Sequence, residues 1–194
     1  LVAVLVCAWM LPAYAIVPMT EQNVRDAQEY GKKKSMTHIN EFLAPWTTYE
    51  EKATIINDAT EKAYIYTPYL LVAHQAREYT VAKKVPTAAD AAAATKDYEG
   101  YYCFAINLVG YDPNFVSSIV VSAEQENQPV PVESINATKA EKMSVPVGAG
   151  PQYTSHVYAY CKDSDVKAGK LLRLTVFCKD EKYRSFNFDI AKIK

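Results

Sequence analysis

Residues 153–190 read YTSHVYAYCKDSDVKAGKLLRLTVFCKDEKYRSFNFDI, and this stretch decides the predicted fold. Its last run, Tyr183–Ile190, alternates apolar and polar side chains: Phe186, Phe188 and Ile190 against Ser185, Asn187 and Asp189. Successive side chains of a strand point to opposite faces, so this pattern predicts a strand with one buried and one wet face. Two similar runs precede it, separated by polar turns. We therefore expect three closely spaced antiparallel strands.

Upstream of these runs the same period of two continues. Tyr102, Phe104, Ile106 and Leu108 alternate with smaller or polar residues, and residues 116–124 form a further predicted strand. This strand spacing over residues 99–194 resembles that of small immunoglobulin-like sandwiches of secreted bacterial proteins. The resemblance implies a fold and carries no activity with it.

The preceding part of the chain, residues 16–98, is predicted to be helical and mixed. Thr20 can cap a first helix that Gly31 would end, and a second short helix is plausible over residues 37–43. Thr67 followed by Pro68 is a typical helix start. A strand is the alternative for residues 69–84, because the apolar run there fits the period of a strand as well as that of a helix.

Several other local patterns in this part give further predictions. Residues 52–57 and 62–67 are expected to be two short strands, and Thr87 to begin an Ala-rich helix with a capping-box spacing. The fold class predicted for the whole is α+β, with N-terminal helices packed on or beside a C-terminal antiparallel immunoglobulin-like β-sandwich spanning residues 99–194.

Leu1–Ala15 is uncharged and apolar and closes on Ala13-Tyr14-Ala15. Small residues at the third and first positions before a cut are what a signal peptidase accepts, so residues 1–15 are predicted to be a signal peptide cleaved after Ala15. The alternative is an uncleaved membrane anchor, which Pro12 and Pro18 disfavour. The expected location is therefore secreted or periplasmic, with no membrane span after cleavage.

Three cysteines remain beyond the leader, and an oxidising compartment favours pairing two of them. Cys103 and Cys161 both alternate with alanine on their strands, which leaves room for a bridge, so a Cys103–Cys161 disulfide is predicted. The alternative pair is Cys161–Cys178.

His156, Tyr158 and Tyr160 alternate with Val157, Ala159 and Cys161 on one predicted strand. Aromatic rings in a row on an exposed sheet face can stack on a sugar or dock a peptide, so these three residues are the candidate ligand site. In the alternative interpretation this row is the core face, or a helix covers it.

The function predicted from sequence is a non-enzymatic binding protein for a protein or cell-envelope partner, with a glycan as a further candidate. The chain has 21 basic and 22 acidic residues, a net charge of −1, which gives no field to attract nucleic acid. No catalytic, metal or cofactor motif is recognised in the sequence, and no cofactor is expected. The alternatives are a carbohydrate-binding module that uses tyrosine and tryptophan faces, and a hydrolase assembled from histidine and dispersed acids such as Asp97, Glu99 and Asp112.

Overall fold

A computed structural model describes residues 17–57, 59–144 and 150–194. Within these residues the helices are α1 (Glu21–Lys33), α2 (Ile39–Leu43), α3 (Pro68–Val81) and α4 (Ala88–Thr95). The strands are β1 (Thr47–Tyr49), β2 (Lys62–Tyr66), β3 (Tyr101–Gly110), β4 (Ile119–Gln125), β5 (Gln128–Val130), β6 (Ser134–Ala137), β7 (Glu141–Lys142), β8 (Tyr153–Lys162), β9 (Leu171–Cys178) and β10 (Tyr183–Asp189). Helices with antiparallel sheets confirm the α+β class.

The strands form two antiparallel sheets. The first sheet has the order β1-β2-β3-β8-β6, with β7 also paired to β8, and the second has the order β10-β9-β4-β5. Apolar side chains of the two sheets meet in a shared core, where the rings of Phe104 and Phe188 lie 5.3 Å apart between centroids. The alternation predicted for the last strand is confirmed from Phe186 onward, since Phe186 and Phe188 are buried while Asn187 is half-buried. Ser185, predicted to be wet, is instead buried where the backbone of Glu51 donates a hydrogen bond to its carbonyl.

Side-chain caps begin the helices where the sequence predicts them. Thr20 accepts a hydrogen bond from the backbone of Asn23, Thr67 does so from Leu70, and Thr87 forms a capping box with Asp90. The prediction that Gly31 ends the first helix is wrong. Gly31 lies inside α1 against Ala73 of α3, and a Cβ there would collide with the Ala73 carbonyl oxygen. The missing side chain allows the two helices to approach closely.

The link between the short helices and β2 differs from the prediction. Residues 52–57 form turns rather than a strand, and the strand before β2 that pairs with it is β1. Ile55 and Ile56 are 72% and 61% exposed, so this β-branched run has no apolar surface to pack against. Trp46, just before β1, is buried and stacks on Tyr69 of α3, which anchors this link to the core.

The predicted domain boundary near residue 98 crosses the first sheet. Strand β2, from the N-terminal part, hydrogen-bonds along its length with β3, from the C-terminal part. The division into residues 16–98 and 99–194 stays a prediction. The predicted leader, residues 1–15, lies outside the described residues. In the part of the chain that is described, no helix is long and apolar enough to cross a membrane.

Candidate functional site

The outer face of the first sheet, turned away from the core, carries rows of tyrosines. Directly opposed residues of antiparallel strands share a face, and one such row runs Tyr66–Cys103–Tyr160 across β2, β3 and β8. The next row runs Tyr64–Ala105–Tyr158. The small side chains on the central strand leave a trough between the tyrosines of its neighbours.

Helix α3 lies over part of this face and closes the trough into a cleft of about 580 Å³, which we call the tyrosine cleft. Its sheet wall is formed by tyrosines of β2, β8 and the 3-10 turn after α4: Tyr66, Tyr98, Tyr158 and Tyr160. Its helix wall is one stripe of α3 at helical spacing: Leu71, His74, Gln75 and Glu78. Ala94 of α4 completes the lining.

The structure brings two of the three predicted ligand-site residues into this cleft. Tyr158 and Tyr160 line it, and their buried neighbours Val157, Ala159 and Cys161 face the core, as the alternation predicts. His156 shares the face but lies outside the cleft lining. It is exposed, and its ring Nδ1 is 2.6 Å from the side-chain oxygen of Asn107. That this face binds a ligand stays a prediction.

Sequence reasoning missed Tyr66, Tyr98 and the polar stripe of α3. Tyr66 alternates with Tyr64 on β2, so the same period of two that selected Tyr158 could have identified it. The stripe of α3 gives no such signal, because His74, Gln75 and Glu78 are polar at helical spacing and look like a solvent-facing side. Only the packing of α3 over the sheet brings them to the tyrosines.

The side chains of the tyrosine cleft are uncharged or paired at neutral pH. Burial raises the pKa of Tyr66 to about 12, and burial together with a hydrogen bond to Cys103 raises that of Tyr160 further. Burial lowers the pKa of His74, so its imidazole is neutral at pH 7. Glu78 forms an ion pair with Arg77 at 3.1 Å. The cleft therefore presents aromatic faces and neutral hydrogen-bonding groups.

Asp112 does not meet the other two acids considered for a hydrolase, Asp97 and Glu99. Asp97 and Glu99 precede β3, whereas Asp112 follows it. Since each strand residue advances the chain by about 3.3 Å, a ten-residue strand separates the two ends by about 30 Å. Paired carboxylates of glycoside hydrolases lie about 5–9.5 Å apart, so Asp112 is not a partner for the other two. Within residues 17–57, 59–144 and 150–194, no cluster of three or more His, Cys, Asp or Glu could hold a metal ion.

The predicted Cys103–Cys161 bridge is absent, and Cys103, Cys161 and Cys178 are all free. The register gives the physical reason. Cys103 opposes Tyr160 and so points into the outer face, whereas Cys161 opposes Tyr102 and points into the core. The two sulfurs lie on opposite faces of one sheet. The alanines near each cysteine along its own strand do not show which face that cysteine occupies once the strands pair.

We expect all three thiols to resist alkylation in the folded protein. Burial raises the pKa of Cys103 and Cys178 to about 11 and that of Cys161 to about 12, which suppresses the reactive thiolate. Iodoacetamide at about pH 8 should leave their peptides unmodified, and the same treatment in denaturant without reductant should label all three. A disulfide-linked peptide in the unreduced digest would contradict the free-thiol structure.

No protein-family profile and no curated protein sequence matches the chain.

Proposed function

We propose that this chain is an exported, non-enzymatic binding protein that holds its ligand in the tyrosine cleft. The observation that carries the proposal is the convergence of four tyrosines from three elements with the polar stripe of α3 around one cavity of about 580 Å³. This volume lies in the range of about 300–1,000 Å³ that is typical of small-ligand sites. Aromatic walls with a few convergent polar groups are the usual composition of such sites.

Binding rather than catalysis is favoured by the chemistry of the cleft. The raised pKa values of Tyr66 and Tyr160 make their hydroxyls poor bases and poor nucleophiles at neutral pH. Cys103 is the thiol nearest these tyrosines, and its raised pKa keeps it protonated as well. Export to a secreted or periplasmic location rests on the sequence of Leu1–Ala15.

We also propose that the two sheets form an immunoglobulin-like sandwich. If β2, β3, β8 and β6 are taken as strands A, B, E and D, the first sheet follows the A-B-E-D order of that fold. The second sheet then corresponds to G-F-C-C′. In this interpretation α3 and α4 are an insertion between strands A and B. The insertion supplies the helical wall of the cleft, and this wall forms a pocket with the outer face of the first sheet.

A fragment screen tests whether the tyrosine cleft is the binding site. We would add neutral, cationic and anionic fragments to ¹⁵N-labelled protein and follow amide shifts by two-dimensional NMR. We expect hits to shift the amide signals of β8 and α3 around Tyr158 and Gln75. Their affinity should fall about tenfold in Tyr158→Ala, since that ring is part of the contact surface.

The matched control for this screen is Tyr183→Ala. Tyr183 is 63% exposed on the second sheet, where it contacts Phe177. Its removal should leave the affinity of cleft fragments unchanged. Hits that map to Tyr183 and to Val120, which is exposed on β4 opposite Phe177, would count against the proposed site, and so would the absence of any hit at the cleft.

A further inference from the structure

The electrostatics of the tyrosine cleft select for an uncharged ligand. Its described lining contains no lysine or arginine, so a phosphate or carboxylate would meet no cation to pair with. Its one carboxylate, Glu78, is already paired with Arg77, which reduces its attraction for a bound cation. Lys162 lies further along the same sheet face, where it pairs with Glu133 at 3.0 Å.

The shape of the cleft suits a ligand with flat apolar faces. Tyr158 and Tyr160 are two residues apart on β8, which spaces their Cα atoms at about 6.6 Å along the strand and places both side chains on one face. Tyr66 and Tyr98 meet with centroids 6.2 Å apart and planes inclined by 39°. The sheet wall thus offers several ring surfaces in one trough rather than a deep apolar hole.

The helix wall carries a hydrogen-bonding group without a partner. The Oε1 of Gln75 is buried and has no hydrogen-bond partner in the described residues. A buried acceptor left unpaired destabilises a protein, and because Gln75 lines the cleft, a rotation of its amide that brings this oxygen to a ligand donor would recover that loss. An amide side chain both donates and accepts, and so does a hydroxyl group, so the two are complementary.

From these three observations we infer that the ligand of the tyrosine cleft is a neutral carbohydrate. A sugar ring is uncharged, presents C–H groups on its faces and carries hydroxyls around its edge. The C–H faces stack on the rings of the sheet wall, and the hydroxyls pair with Gln75 and its neighbours on α3. This inference rests on the proposed function, because it names the class of ligand for the same site.

A printed array of neutral, sialylated and sulfated glycans, followed by calorimetric titration of the best neutral glycan, tests the inference. We expect binding to at least one neutral glycan and no preference for acidic ones. Tyr158→Ala should weaken that binding about tenfold by removing a stacking surface, while Tyr183→Ala should leave it unchanged.

Gln75→Met separates a ligand contact from a structural role. It replaces the unpaired amide with an apolar side chain of similar length, so the free protein should melt at the same or a higher temperature. Binding of the neutral glycan should nevertheless weaken about tenfold, since a hydroxyl loses its partner. If the variant melts higher and binds the glycan as tightly as wild type, Gln75 is not a ligand contact, and this part of the inference is overturned.

The remaining outcomes distinguish failure of the ligand class from failure of the site. Choline chloride and inorganic phosphate serve as charged probes in the NMR assay. If no neutral glycan binds but choline or phosphate perturbs Tyr158 and Gln75, the carbohydrate inference is overturned while the proposed binding site survives. If glycans bind equally well to Tyr158→Ala, the inference is also overturned. If no probe of any class perturbs the cleft, the proposed function fails with it.

Discussion

Replacing Phe188 with alanine is expected to destabilise the protein by about 3–5 kcal/mol, as is typical of fully buried phenylalanines. Phe188 is 2% exposed and its ring packs against Phe104, so the substitution opens a cavity between the two sheets. For a domain of this size each kcal/mol lowers the melting temperature by about 2–4 °C. Urea denaturation and thermal melting followed by circular dichroism measure the effect.

The matched control is the adjacent substitution Asn187→Ala. Asn187 lies on the opposite face of β10, half-exposed, and its replacement should change the free energy of unfolding by no more than about 0.5 kcal/mol. Equal destabilisation by the two variants would mean that the alternation along β10 does not separate a core face from a solvent face. It would also mean that this strand does not close the core between the sheets.

The strands were predictable from sequence where one face is buried and the other wet. In β8 every second residue from Val157 to Cys161 is buried, as the residue types predict, and in β10 the same alternation holds from Phe186 onward. Ser185 departs from it, because it is buried although its residue type predicts a wet position. The failures come where a local pattern needs a distant partner. The run at residues 52–57 has strand propensity but no neighbouring strand or apolar surface to pack against. At position 31 the close approach of α3 leaves no room for a side chain, so the glycine there is required by packing and does not end the helix. Neither fact can be seen without the tertiary arrangement.

The tyrosine cleft was predictable only in part for the same reason. The period of two places His156, Tyr158 and Tyr160 on one face, but it cannot tell how far along β8 a helix will cover that face. The helix reaches Tyr158 and Tyr160 and leaves His156 exposed. The cysteines show that strand register is difficult to predict from sequence. Whether residues of two strands share a face depends on how the strands are aligned when they pair, and the sequence of neither strand alone gives that alignment.

The second large effect concerns a buried ionic cluster at one end of the core. Arg184 lies on β10 with its side chain 3% exposed. Its guanidinium donates to Glu61 at 2.7 Å and to both oxygens of Asp180 at 3.0 and 2.6 Å. It also donates to the carbonyl of Val109 on β3 at 3.1 Å. The planar fork of one arginine thus joins the first sheet to the second.

Arg184→Met is expected to destabilise the fold by about 3–5 kcal/mol at neutral pH. Methionine keeps most of the aliphatic stem but leaves Glu61 and Asp180, whose side chains are 19% and 16% exposed, with no counter-charge. An uncompensated charge in a mostly buried site is far more costly than a lost pair. The matched control is Arg173→Met on the neighbouring strand. Arg173 pairs with Glu51 where both side chains are more than 40% exposed, and such surface pairs contribute about 1 kcal/mol or less.

The destabilisation caused by Arg184→Met should be smaller in acid than at neutral pH. Burial alone would raise the pKa of Asp180, but the hydrogen bonds and charge of Arg184 outweigh it and hold the pKa below its ordinary value. A carboxyl of this kind stabilises the fold above its unfolded pKa of about 3.9, and the stabilisation is lost as pH falls through the lower folded pKa. In Arg184→Met the carboxyl of Asp180 lacks its cation, so burial raises its pKa and it takes up a proton at a higher pH than in wild type.

Urea denaturation at about pH 7 and about pH 3 should therefore show a large difference between wild type and Arg184→Met at neutral pH and a smaller one in acid. If the difference stays constant with pH, the loss comes from altered packing around the arginine stem. In that case the charges of Glu61 and Asp180 do not account for the stability that Arg184 provides.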